Sequence, residues 1–125
     1  MRVSVLVVDD DPDYVSTTTA LLRLSGFRAA GAGSGADALC RATEQAPDVI
    51  LLDLSMPDMD GYELADRLRK SRAEKPPYFV AVSGYGRDED KARSSRAGFD
   101  LHLVKPVLPA DLISVLAKFE SAALV

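Results

Sequence analysis

Four short apolar runs in this chain each end in a residue that can do chemistry. They read Val5-Leu6-Val7-Val8 before Asp9-Asp10-Asp11, Val49-Ile50-Leu51-Leu52 before Asp53, Phe79-Val80-Ala81-Val82 before Ser83, and Leu101-His102-Leu103-Val104 before Lys105. The groups delivered are carboxylates, one hydroxyl and one ammonium. Two carboxylates about 4 Å apart repel by roughly 4 kcal/mol at an effective dielectric of about 20. Such a cluster either holds a proton or takes up a divalent cation. An all-oxygen, part-hydrated site suits Mg²⁺ better than zinc, which prefers His or Cys. A hydroxyl and an ammonium beside a metal-bound carboxylate make a cradle for a phosphoryl group, because positive charge neutralises its equatorial oxygens and the hydroxyl donates to another. A carboxylate can itself accept the phosphoryl. Asp53, at the end of the middle run between the acidic triplet and Lys105, is the candidate acceptor.

Convergence of these groups depends on the elements that carry them. Continuous Val/Ile/Leu runs of this length predict strands buried on both faces of a parallel sheet. Asp11-Pro12 predicts a helix start, with an Asp cap and Pro at the first helical position. Val15, Thr18 and Leu22 then share a face, and Gly26 supplies a stop. A weaker, edge-like strand is expected around Phe27 to Gly31. Ser34 with Asp37 resembles a capping box, opening a helix with Ala38, Leu39 and Ala42 that ends near Pro47. A third helix follows Gly61, with Leu64 and Leu68 inward and Arg67, Arg69 and Lys70 outward. Asp88 to Ala97 makes a polar fourth helix closed by Gly98. Pro109 opens a fifth, where Leu112, Val115, Leu116 and Phe119 form an apolar stripe. Five βα units in succession predict a flavodoxin-like, doubly wound α/β fold with strand order 2-1-3-4-5. That order sets the four chemical strand ends side by side and leaves the weak second strand at an edge. Ligands of such sheets bind outside the carboxyl ends at the switch point, so Asp9, Asp10 and Asp53 should share one crevice.

The 125 residues fit a single domain, 1–125, long enough for a real core. A net charge of −4 argues against nonspecific nucleic-acid binding, which needs clustered Lys and Arg. The basic residues Arg87, Lys91, Arg93 and Arg96 are interleaved with Asp88, Glu89 and Asp90, a solvated mixed-charge pattern. One cysteine, Cys40, excludes an internal disulfide and suits a reducing compartment; its place on the second helix predicts a small buried residue. No apolar stretch approaches a membrane span, and the start is no signal peptide. A cytoplasmic protein with no nucleic-acid partner and no membrane insertion is the expectation.

With these residues in place, the chain resembles the receiver domain of two-component response regulators from Val3 to about Phe119. The matching pieces are Val7-Val8-Asp9-Asp10, the segment Asp53-Leu54-Ser55-Met56-Pro57-Asp58-Met59-Asp60-Gly61, then Val82-Ser83-Gly84 and Val104-Lys105-Pro106. Each alone is weak; together they are specific. The resemblance implies that Asp53 takes a phosphoryl group from a phosphohistidine on a sensor histidine kinase or a histidine phosphotransfer domain, and signals to a downstream protein partner. It implies that Asp10, Asp53 and the Ser55 backbone carbonyl hold Mg²⁺ (or Mn²⁺) directly, with Asp9 assisting through water. Lys105 would contact the phosphoryl and pair with Asp53 in its absence, and Ser83 would move toward it. A cis peptide is implied between Lys105 and Pro106. The domain would catalyse only its own phosphorylation and dephosphorylation. His102 stands where many receivers carry an aromatic switch residue, which puts a tyrosine-type switch in question. Ser55 and Tyr85 hold the two variable positions that tune acyl-phosphate hydrolysis. The run Phe99 to Val107 looks more like receivers of hybrid sensor kinases than of transcription factors. The chain stops soon after the fifth helix, which suits a stand-alone regulator or a domain cut from a longer protein.

Three rival readings compete. Gly31-Ala32-Gly33-Ser34-Gly35-Ala36 satisfies a dinucleotide-binding fingerprint, but a complete βα unit precedes it, where the fold's first strand should stand. A phosphohydrolase with an aspartyl nucleophile would want a general acid two residues beyond Asp53, where Ser55 stands. A non-phosphorylated interaction module would leave the acid, hydroxyl and lysine set without a purpose.

Overall fold

The computed structural model describes residues 3–56, 60–71, 74–84 and 88–123. Strands β1 (Ser4–Val8), β2 (Arg28–Ala32), β3 (Val49–Asp53), β4 (Tyr78–Ser83) and β5 (Leu101–Val104) alternate with helices α1 (Pro12–Leu24), α2 (Gly35–Gln45), α3 (Gly61–Ser71), α4 (Asp88–Arg96) and α5 (Pro109–Ala123). All strand pairs are parallel and the order is β2-β1-β3-β4-β5, the flavodoxin-like order that the sequence predicts. The register matters most at the carboxyl edge. Val8 pairs with Leu52, Asp53 with Val82, and Ser83 with Val104, so Asp9, Asp53, Ser83 and Lys105 all emerge at one rim.

Side-chain alternation splits the core into two layers. Leu6, Val8, Ile50, Leu52, Phe79 and Ala81 pack under α2 and α3, with Leu64 and Leu68 as the α3 anchors. Val5, Val7, Val49, Leu51, Val80 and Val82 face Leu22 of α1 and Leu112 and Leu116 of α5. Every residue of β3 is buried, as its apolar run requires of a central strand. β5 departs from that expectation: among the described residues it pairs with β4 alone, so it is an edge strand, half-buried, and Val104 is exposed.

The helix starts follow their caps. The Asp11 carboxylate accepts from Asp13 N at 3.0 Å and Tyr14 N at 3.4 Å, and Pro12 takes the first helical position. Ser34 accepts from Asp37 N at 3.1 Å, while Asp37 accepts from Gly33 N rather than from the cap residue itself. Asp60 caps α3 through the Tyr62 N–H. Three local expectations need correction. β2 begins one residue late, because Phe27 N donates to Leu22 O and closes α1. Cys40 is exposed, not buried: α2 turns Gly35, Ala38 and Ala42 inward, and two residues from Ala38 is the far side of a helix. Arg69 does not point simply outward. Its guanidinium lies 5.0 Å from the Phe79 ring centroid and donates to Ala97 O, tying α3 to the end of α4.

The first glycine of the dinucleotide-like fingerprint, Gly31, serves packing. A Cβ on Gly31 would overlap Val15 Cγ1, so α1 crosses β2 where only hydrogen can stand between them. Gly31→Ala should therefore cost about 1–3 kcal/mol by overpacking, read as a lower urea midpoint at unchanged slope.

Candidate functional site

Three consecutive aspartates have three separate tasks. Asp9 is buried, Asp10 is exposed, and Asp11 is used up as the α1 cap. Asp9 and Asp53 are each steadied by a backbone N–H two residues on: Asp11 N to Asp9 Oδ1 at 3.0 Å, and Ser55 N to Asp53 Oδ1 at 2.9 Å. Their other oxygens face one cation. Lys105 Nζ lies 3.0 Å from Asp9 Oδ2 and 3.4 Å from Asp53 Oδ2. The Tyr14 ring backs that ammonium at 5.2 Å from its centroid, a contact that nothing in the sequence announced. Lys105 N donates to Ser83 O at 2.7 Å, which continues the β4–β5 ladder, and the Lys105–Pro106 peptide is cis.

Burial pushes the Lys105 ammonium down, but its hydrogen bond to Asp9 and the nearby charges of Asp53 and Asp9 outweigh that, so its pKa stands above the ordinary value. Asp10 completes an acidic hollow: one carboxylate oxygen each from Asp9, Asp10 and Asp53 lie within 4.8 Å of one another. Three carboxylates against one ammonium leave the hollow negative, and every donor is oxygen. That set fits a hard divalent cation such as Mg²⁺ or Mn²⁺ and offers zinc no nitrogen or sulfur. Ser55 sits exposed in the turn after β3, within reach of the same rim.

Ser83 is buried, and its hydroxyl is engaged: Oγ lies 2.8 Å from His102 Nε2. His102 is half-buried and more than a packing or surface residue, since its Nδ1 lies 3.0 Å from Ser94 Oγ on α4. Ser94 was invisible to sequence reasoning, because only the seating of α4 on β5 brings it to the ring. Pro57, Asp58, Met59, Tyr85 and Arg87 lie outside the described residues. Cavity size does not mark this chemistry. A cavity of about 300 Å³ adjoins Ser83 and His102, whereas one of about 420 Å³ opens at the other end of the sheet, between Asp48, Tyr78 and Asp100.

The chain is similar in sequence and fold to known proteins. Residues 5–117 match the response regulator receiver domain family. The transcriptional regulatory protein PrrA of Mycobacterium tuberculosis is 42% identical over 110 residues, covering 88% of this chain and 46% of that protein. The DNA-binding response regulator MtrA of Mycolicibacterium smegmatis is 35% identical over 114 residues, covering 91% and 49%. Among solved structures, the Vibrio cholerae chemotaxis protein CheY4 superposes with a TM-score of 0.87 at 28% identity, over 94% of this chain and 98% of that one. The chain belongs to the receiver domain family of two-component response regulators. It spans about half the length of these curated relatives. They are described as transcriptional or DNA-binding regulators, so the expectation of no nucleic-acid partner is not supported; the acidic balance speaks only for these 125 residues. No helix among the described residues is long and apolar enough to cross a membrane.

Three outcomes follow from the charge balance. The Lys105 pairing stabilises fully below the unfolded-state pKa of about 10.4 and is lost as pH rises through the higher folded-state value, so a Lys105→Met variant should lose its stability deficit only in strong alkali. In EDTA, Asp10→Asn should raise Tm by roughly 2–5 °C by relieving repulsion. The same variant should lose most of the Tm gain that added Mg²⁺ gives the native chain.

Proposed function

We propose that this chain is the phosphoacceptor of a two-component phosphorelay, a single receiver unit over residues 1–125 working in the cytoplasm. Asp53 takes a phosphoryl group from a phosphohistidine on a sensor histidine kinase or a histidine phosphotransfer domain, and a downstream protein reads the altered surface. The observation that carries this reading is the meeting of Asp9, Asp10, Asp53 and Lys105 at one rim, although Lys105 and Asp9 stand 96 positions apart in the chain.

The chemistry assigned to each residue follows from that rim. A carboxylate oxygen of Asp53 bonds to phosphorus as the N–P bond of the donor breaks, and the electron pair leaves with the partner's imidazole. Asp53 is held for this by the Ser55 N–H on its other oxygen. Lys105, already lodged beside Asp53, places its charge against a phosphoryl oxygen. Asp10, Asp53 and the Ser55 carbonyl would hold Mg²⁺ or Mn²⁺, with Asp9 through water, and the bound ion would supply a second positive charge at the transferring group. The Ser83 hydroxyl, one residue beyond the strand partner of Asp53, donates to a further phosphoryl oxygen. Hydrolysis of the acyl phosphate by water at the same rim resets the domain. No separate substrate is turned over.

The start of α1 at Pro12 and the loop at Pro106–Val107 flank this rim, and Pro12 and Pro106 are exposed, which suits them to receive the phosphohistidine donor.

Incubation with acetyl phosphate and Mg²⁺ should add one phosphoryl mass to the native chain and none to Asp53→Asn. The native chain should also lose its labelling when Mg²⁺ is left out. A native chain that binds beryllofluoride no better than Asp53→Asn would instead be a non-phosphorylated interaction module. Charge reversal at Asp13 should slow transfer from a phosphohistidine donor several-fold and spare labelling by acetyl phosphate; an equal fall in both would remove α1 from the docking face.

A further inference from the structure

Two serine hydroxyls that face the His102 ring assign the proton between its nitrogens. Ser94 Oγ lies 3.0 Å from Nδ1 and 2.9 Å from the Lys91 carbonyl oxygen. A carbonyl only accepts, so the single Ser94 hydroxyl proton goes to Lys91 O. Ser94 then offers Nδ1 a lone pair, and Nδ1 must be the protonated nitrogen. In the neutral ring Nε2 is bare and accepts. The group facing Nε2 is the Ser83 hydroxyl at 2.8 Å, so Ser83 donates its one proton to His102.

We propose that His102 is a positioning residue that holds the Ser83 proton in the unphosphorylated protein and, through Ser94, couples that proton to the seating of α4. This role presupposes Asp53 as the phosphoacceptor and adds a competition to it. A phosphoryl group on Asp53 offers acceptor oxygens at the neighbouring strand end, and one hydroxyl proton cannot serve both the phosphoryl and the ring. Once Ser83 turns to the phosphoryl, its lone pairs confront the lone pair of Nε2. The ring must then leave Ser83 or take a proton from solvent, and in either case Nε2 no longer accepts from Ser83. The same ring is bonded to Ser94, the one α4 residue buried among those described. A helix seated on a polar anchor instead of an apolar one feels that loss directly. Room for the ring to turn exists in the adjoining cavity of about 300 Å³, where Asp90 and Arg93 of α4 and Tyr62 of α3 face it. A phenyl ring at this place could fill space but could not compete for a proton.

The chain has one histidine, so ¹⁵N spectra report its imidazole without ambiguity. At about pH 8, above the ordinary histidine pKa of about 6.5, the unloaded protein should show the Nδ1–H tautomer. Beryllofluoride with Mg²⁺ should displace the Nε2 resonance, with occupancy of Asp53 read separately from the fluorine signal of the adduct. An Nε2–H tautomer in the unloaded protein, or an unmoved Nε2 resonance with the fluorine signal present, overturns the role of His102 and leaves the phosphoacceptor reading standing. No fluorine signal at all overturns both. His102→Phe releases the Ser83 proton and should raise the phosphorylated fraction at subsaturating acetyl phosphate by about threefold to tenfold, the reach of one neutral hydrogen bond. Should that variant fail to fold, Ser94→Ala keeps the ring, should mix the two tautomers and should give a smaller rise. Unchanged labelling in whichever variant folds counts against the competition.

Discussion

The Lys105 ammonium between two buried carboxylates is the constraint around which this molecule is organised. Asp9 and Asp53 are almost wholly shielded from water, and an unpaired charge in such a place is expensive. One cation at 3.0 and 3.4 Å offsets most of that cost while leaving Asp10 and the net negative charge of the hollow uncompensated. The hollow therefore keeps a negative balance that a divalent cation could neutralise. Pairing Lys105 with Asp53 also keeps the ammonium at the spot where a phosphoryl group would place its own negative charge.

Only the sheet order makes that contact possible. Lys105 leaves β5 and Asp9 leaves β1, two strands that never touch, and β3 and β4 stand between them. Level strand ends let a long lysine reach back across the rim to both acids. Local chemistry on β1 divides the acidic triplet sharply: alternation buries Asp9, the strand's exit leaves Asp10 in solvent, and the helix start consumes Asp11. The close approach of α1 at Gly31 and the Tyr14 ring against Lys105 belong to the same packing, since both come from the first turn of α1.

The α4 side of the molecule is held differently. Its helix is polar, its one buried residue among those described is a serine, and its ties to the rest are directional: Ser94 to His102, Arg93 over Tyr62, and Arg69 to Ala97 O. Elements with few buried apolar contacts open and shift at low cost. A change of hydrogen bonding at Ser83 therefore reaches a part of the fold that is able to respond, whereas the β1–β3 side is locked by Leu and Val packing.

Much of this was legible in the residues. The Val and Leu runs and the Asp11-Pro12 and Ser34 caps mark the strands and helices, because each rests on local patterning, and five βα units in succession point to a fold type whose strand order is 2-1-3-4-5. The candidate acids and Lys105 were legible for the same reason, as strand-end residues of a topology with a known binding edge. What a single helix or strand cannot express stayed hidden. The exposure of Cys40 depends on which α2 face the sheet takes, the half-burial of β5 on its having one neighbour, and the Arg69 contact on where α4 ends. Ser94 is the sharpest instance: nothing near it in the chain marks it, and it becomes the partner of His102 only when α4 packs on β5. Sequence patterning determined which groups exist and at which strand ends; tertiary packing alone decided which of them share a proton or a charge, because those interactions act over about 3 Å between residues far apart along the backbone.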